Sequence, residues 1–94
     1  MEDTTNAGTL TYTSEKKGFR YVDGDYTLTG DKIIVGGAMT EVQNGNIQKD
    51  GSYYGYYNVR MDGGEPKLSA GDIPLSEYQT VMGKITELVG ALQA

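Results

Sequence analysis

Hydrophobic and polar residues alternate one by one along most of the chain up to residue 61, and after residue 74 they recur at intervals of three and four. The alternation is longest in Ser52 to Met61, which also carries four of the eight tyrosines. Side chains on a strand point to opposite faces in turn. One face of this strand would carry Tyr53, Gly55, Tyr57, Val59 and Met61, and the other Ser52, Tyr54, Tyr56, Asn58 and Arg60. The first set ends apolar and is expected to face the core. The second runs from aromatic to polar, as suits a face that stays wet.

Shorter segments with the same period precede it. Gly8 to Thr13 sets Leu10 and Tyr12 against threonines, Gly18 to Val22 sets Phe19 and Tyr21 inward, and Asp25 to Thr29 does the same with Tyr26 and Leu28. Lys32 to Val35, Ala38 to Gln43 and Asn46 to Lys49 complete the strand candidates. Between them stand Asp23-Gly24, Gly30-Asp31, Asn44-Gly45 and Asp50-Gly51, dipeptides that tolerate the positive φ of tight hairpins. Strands linked by such turns, with no helix between them, pair antiparallel.

After Asp62-Gly63-Gly64-Glu65-Pro66 the period changes. Leu75, Tyr78, Met82, Ile85, Val89 and Leu92 form a helical stripe, broadened by Val81 and Leu88. Ser76 and Gln79 have the spacing of a capping box behind Pro74. Gly83 and Gly90 lie seven apart on one side of the helix, where close approach to the sheet would compensate their cost. The expected fold is α+β: an antiparallel β-meander of five to seven strands with one C-terminal amphipathic helix packed on one sheet face. The expected limits are a loose tail over 1–7 and a single domain over 8–94, divided into a meander (8–61), a connector (62–75) and a helix (76–92). The core is expected to comprise Leu10, Tyr12, Phe19, Tyr21, Tyr26, Leu28, Ile33, Val35, Val42, Tyr57, Val59, Met82, Ile85, Val89 and Leu92.

Composition narrows the chemistry. The 94 residues contain no cysteine and no histidine. Disulfides, thiol nucleophiles, histidine-based triads and the usual transition-metal ligand sets are therefore absent. A formal net charge of -5 disfavours duplex nucleic acid and anionic membranes, which attract basic surfaces. No apolar run approaches the roughly 20 residues of a membrane span. The polar, acidic start shows no signal peptide, and the wealth of Gly, Thr, Tyr and Asn leans towards an extracytoplasmic setting if a leader precedes it. Asp23, Asp25 and Asp31 are the nearest thing to a carboxylate cluster, but each falls at a turn, where aspartate serves local hydrogen bonding. No calcium-loop or phosphate-loop spacing is present.

One stretch has a more specific likeness. Gly8-Thr-Leu-Thr-Tyr12-Thr-Ser-Glu-Lys16-Lys17-Gly18-Phe19-Arg20-Tyr21-Val22 resembles the opening of cold-shock domains: a first strand with an aromatic, a polar turn, then Lys-Gly-aromatic-Gly-aromatic-aliphatic. The resemblance implies that Tyr12, Phe19 and Tyr21 stack on single-stranded bases, with Lys16, Lys17 and Arg20 on the backbone phosphates. Arg20 stands where that family has glycine, and the C-terminal helix is foreign to it.

The sequence reads as a non-catalytic binding or structural accessory domain, without cofactor or metal. It would contact a protein or glycan partner through an exposed aromatic face carrying Tyr54, Tyr56, Asn58 and Arg60. Single-stranded nucleic-acid binding through the cold-shock-like strand pair is the alternative.

Overall fold

The structure, a computed structural model, describes residues 8–14 and 18–93. The tail expected over 1–7 lies outside them. Six strands follow in order: β1 (Thr9–Ser14), β2 (Gly18–Asp23), β3 (Tyr26–Val35), β4 (Ala38–Lys49), β5 (Ser52–Asp62) and β6 (Glu65–Gly71). They form one open sheet in sequence order, every neighbouring pair antiparallel. A 3-10 turn (Leu75–Glu77) leads into helix α1 (Tyr78–Gln93), which packs on one sheet face. This is the expected α+β meander.

Two expected turns are bulges instead. Gly30-Asp31 and Asn44-Gly45 lie opposite each other on β3 and β4, where the pairing passes from Thr29 with Asn46 to Asp31 with Gln43. Asn44, at φ +57°, is the extra residue on β4. An extra residue bends a strand without ending it, so four short segments become two long strands. Gly45 is needed there because a Cβ would overlap the ring of Tyr57, whose hydroxyl donates to the Thr29 carbonyl at 3.0 Å. The hairpins lie at Gly24-Asp25, Gly36-Gly37, Asp50-Gly51 and Gly63-Gly64. In the last three both loop residues have positive φ, the geometry that matches strand twist. The stretch expected as connector, 62–75, contains β6 because Pro66 sits on an edge strand, where no neighbour needs its missing N–H.

The core lies between helix and sheet. Phe19, Tyr21, Tyr26, Leu28, Val42, Ile47, Tyr57 and Val59 meet Val81, Ile85, Leu88, Val89 and Leu92. The helix is rotated from the expected stripe. Val81 and Leu88 are fully buried, Met82 is half-buried, and Leu75 is 91% exposed. Ile47 also joins the core, whereas Tyr12 and Val35 are exposed and Ile33 half-buried, because β1 and the β3–β4 hairpin extend past the helix. Gly83 and Gly90 do not approach the sheet: both face outward, and nothing lies within 4 Å of a Cβ on either. The opening turn is closed by the Glu77 N–H on the Pro74 carbonyl at 2.9 Å.

Charged groups pin the start of the helix. Glu77 accepts hydrogen bonds from the Tyr26 hydroxyl and from Lys49 Nζ at 3.1 Å. The Tyr26 ring sits between two ammonium groups, Lys49 at 5.4 Å and Lys84 at 5.0 Å, and Lys84 also pairs with Asp23 at 3.0 Å. The Tyr26 hydrogen bond, then that of Lys49, holds the Glu77 carboxyl below its ordinary value of 4.5. A carboxyl depressed by folding adds stability that is present above its unfolded value and is lost as pH falls through the folded one. Native protein should therefore lose thermal stability below about pH 4.5 more steeply than Glu77→Gln. Melting curves from pH 6 to pH 2.5 check this: the gap between the two proteins should narrow in acid, and a constant gap would contradict the role of the charge.

Candidate functional site: the uncovered sheet face

The helix covers one face of the sheet and leaves the other open. On the open face, register aligns side chains from successive strands into rows. One row runs Thr9, Val22, Thr27, Gln48, Tyr53. The next runs Thr11, Arg20, Thr29, Asn46, Tyr56 and ends at Gly71. In both rows a hydroxyl, an amide and a tyrosine ring follow one another from β3 to β5. Asn58 and Arg60 continue the face along β5, opposite Ser69 and Lys67 of β6.

Tyr57 faces inward as expected, but of Tyr53 and Tyr54 the one that turns inward is not the one expected. Gln48 pairs with Tyr53 and Ile47 with Gly55, so Tyr54 is an extra residue on β5. The bulge inverts the alternation before Gly55, which takes φ +123°. Tyr53 therefore joins Tyr56 on the open face, 55% and 43% exposed. Tyr54 turns towards the helix side, packs against the core and lies under Lys49 Nζ, 5.9 Å from its ring centre. Of the four residues expected at the site, Tyr56, Asn58 and Arg60 share the open face and Tyr54 does not. The period-two pattern continues straight through Tyr53-Tyr54, and only the glycine at position 55 hinted at a bulge.

The Tyr56 ring reaches the last residue of β6, and the Tyr53 hydroxyl the residue after it. The outer end of the Tyr56 ring rests on the backbone of Gly71, where a Cβ would overlap its hydroxyl and ring carbons. The Tyr53 hydroxyl donates to Asp72 Oδ2 at 3.3 Å. Burial, then the Asp72 carboxylate, raises the Tyr53 phenol above its ordinary value, so it remains a neutral donor at physiological pH. Arg60 and Lys67 are held by Asp62, at 3.6 and 2.9 Å. Beside the second row, over β1 to β4, a hollow of about 270 Å³ is lined by Thr13, Arg20, Thr29, Asp31 and Asn44 among others, with Asn44 Nδ2 donating to Asp31 at 2.8 Å.

The cold-shock-like residues are split apart. Phe19 and Tyr21, 2% and 1% exposed, are sealed beneath the helix and cannot stack on a base. The Tyr21 hydroxyl accepts the Gly8 N–H at 2.8 Å and donates to Glu87 at 3.5 Å. Tyr12 stays exposed on the helix side, where Lys32 Nζ donates to its hydroxyl at 3.1 Å. Arg20 points to the opposite face, and Lys16 and Lys17 lie outside the described residues. The proposed stacking platform fails because β2 alternates: its aromatic face is the face the helix needs.

A second concavity, about 320 Å³, lies between β6 and α1 and is lined by Val59, Pro66, Leu68, Ile85, Val89 and Gly90 among others. No helix of the described residues is long and apolar enough to cross a membrane. Comparison with protein-family models, characterised proteins and solved structures finds no match to this chain.

Proposed function

We propose that the protein is a non-catalytic binding or structural accessory domain that contacts a protein or glycan through its uncovered sheet face. The observation that carries this reading is the pair Tyr53 and Tyr56. The two rings are exposed on a face the fold does not cover, Tyr56 resting on Gly71 and Tyr53 bonded to Asp72. A ring already fixed in place loses little freedom on binding, and tyrosine combines a broad apolar surface with a hydroxyl. Tyrosine and arginine are also the residue types over-represented among binding hot spots. Asn58 and Arg60 form the polar continuation of the surface.

Tyr53→Ala combined with Tyr56→Ala should abolish binding and leave the fold intact, since cross-strand contacts of this kind contribute about 1 kcal/mol or less each. Tyr54→Ala, on the helix side, should leave binding unchanged. The check is to present wild type and the variants to a glycan array and to a cross-linking pull-down, with circular dichroism melts alongside. A ligand that the double variant still holds as wild type does would contradict the reading.

A further inference from the structure

We infer that the ligand of this face is an uncharged, extended polysaccharide that crosses the strands from Tyr56 towards Arg20; this rests on the reading of the face as a binding surface. The chemistry of the rows points that way. From β3 to β5 the two rows hold Thr27, Gln48 and Tyr53 beside Thr29, Asn46 and Tyr56. These are neutral donors and acceptors next to aromatic planes. A pyranose ring offers complementary surfaces: a C–H face that packs on an aromatic ring and hydroxyls that exchange hydrogen bonds with amides and alcohols.

Spacing agrees with the chemistry. Strands lie roughly 4.8 Å apart, close to the advance of one sugar residue in an extended chain. A polysaccharide laid across the sheet would meet one new side chain per sugar, in the order ring, amide, hydroxyl, then the Arg20 side of the hollow. Repetition of that order in adjacent rows provides contacts for both edges of the same chain. The glycine at position 71 lets the outer end of the Tyr56 ring lie against the backbone at the sheet's edge, so a chain entering over β6 meets that ring first.

Competing ligands fit less well. A protein interface concentrates apolar residues at a dry centre, yet Val22 is the one aliphatic residue in the two rows. A polyanion would face a chain of net charge -5 with Arg20 as the one cation in the rows.

The test is affinity electrophoresis in native gels containing hydroxyethylcellulose, laminarin or glucomannan as uncharged polymers, and polygalacturonate or heparin as charged ones. Wild type should be retarded by at least one uncharged polymer, at least tenfold more weakly after Tyr53→Ala with Tyr56→Ala, and several-fold more weakly after Asn46→Ala with Gln48→Ala. Circular dichroism melts show that each variant is folded. No retardation by any uncharged polymer, or retardation by the charged ones alone, overturns the polysaccharide inference but leaves the face open to a protein ligand. Retardation by an uncharged polymer that survives loss of both tyrosines overturns the polysaccharide inference and the reading of the face together.

Discussion

Replacing Gly55 with alanine is expected to destabilise the domain by about 3 kcal/mol, since a strained φ and overpacking each cost roughly 1–3 kcal/mol. Gly55 holds φ +123°, a conformation L side chains rarely adopt. Its missing Cβ is also occupied space: an added methyl would stand 2.7 Å from the Gly71 carbonyl oxygen and 2.7 Å from Ile73 Cγ1. Neither neighbour is free to withdraw. Gly71 is paired to Tyr56, and Ile73 packs against the core just ahead of the helix. The position decides more than stability, because the bulge that needs Gly55 also turns Tyr53 outward and Tyr54 inward. Urea denaturation of wild type and Gly55→Ala measures the loss, and a change below about 1 kcal/mol would mean that β5 can pair without the bulge.

Leu88→Ala should cost a similar amount, about 2–5 kcal/mol, through lost burial and the cavity left behind. Leu88 is fully buried with Val81, on the side of the helix that meets the sheet. The helix is the only element covering that face among the described residues, so its release would expose Phe19, Tyr21 and Tyr57 together. A domain of this size commonly has 5–15 kcal/mol in total, so the variant should melt well below wild type or be partly unfolded at 37 °C. If Met82→Ala, on the half-buried flank, proves as costly as Leu88→Ala, the helix turns Met82 rather than Leu88 towards the sheet.

The architecture was readable from periodicity because each element buries one face and so keeps its period. The meander, the hairpin at Asp50-Gly51 and the terminal helix all follow from that rule. Readings failed where one residue broke the period without breaking the strand. Asn44-Gly45 has the composition of a hairpin turn, and whether it turns or bulges depends on the partner strand, which composition does not reveal. Tyr54 failed for the same reason. A bulge shifts parity, and a parity error exchanges the faces of everything on one side of it. Helix rotation was ambiguous because Leu75, Tyr78, Val81 and Leu88 are all apolar, and only the sheet's shape selects among them. The cold-shock-like stretch misled because its aromatic spacing equally suits strands that pack beneath a helix.

The central claim is that an uncharged polysaccharide is held on the uncovered face, over Tyr53 and Tyr56, and not in the groove between β6 and α1. The most direct measurement is a two-dimensional amide NMR titration with soluble, uncharged hexasaccharides, cellohexaose and laminarihexaose. The expected shifts fall on Thr27, Thr29, Asn46, Gln48, Tyr56 and Gly71, with Leu68, Val89 and Gly90 unmoved. Shifts confined to Leu68, Val89 and Gly90, or none anywhere, would contradict it.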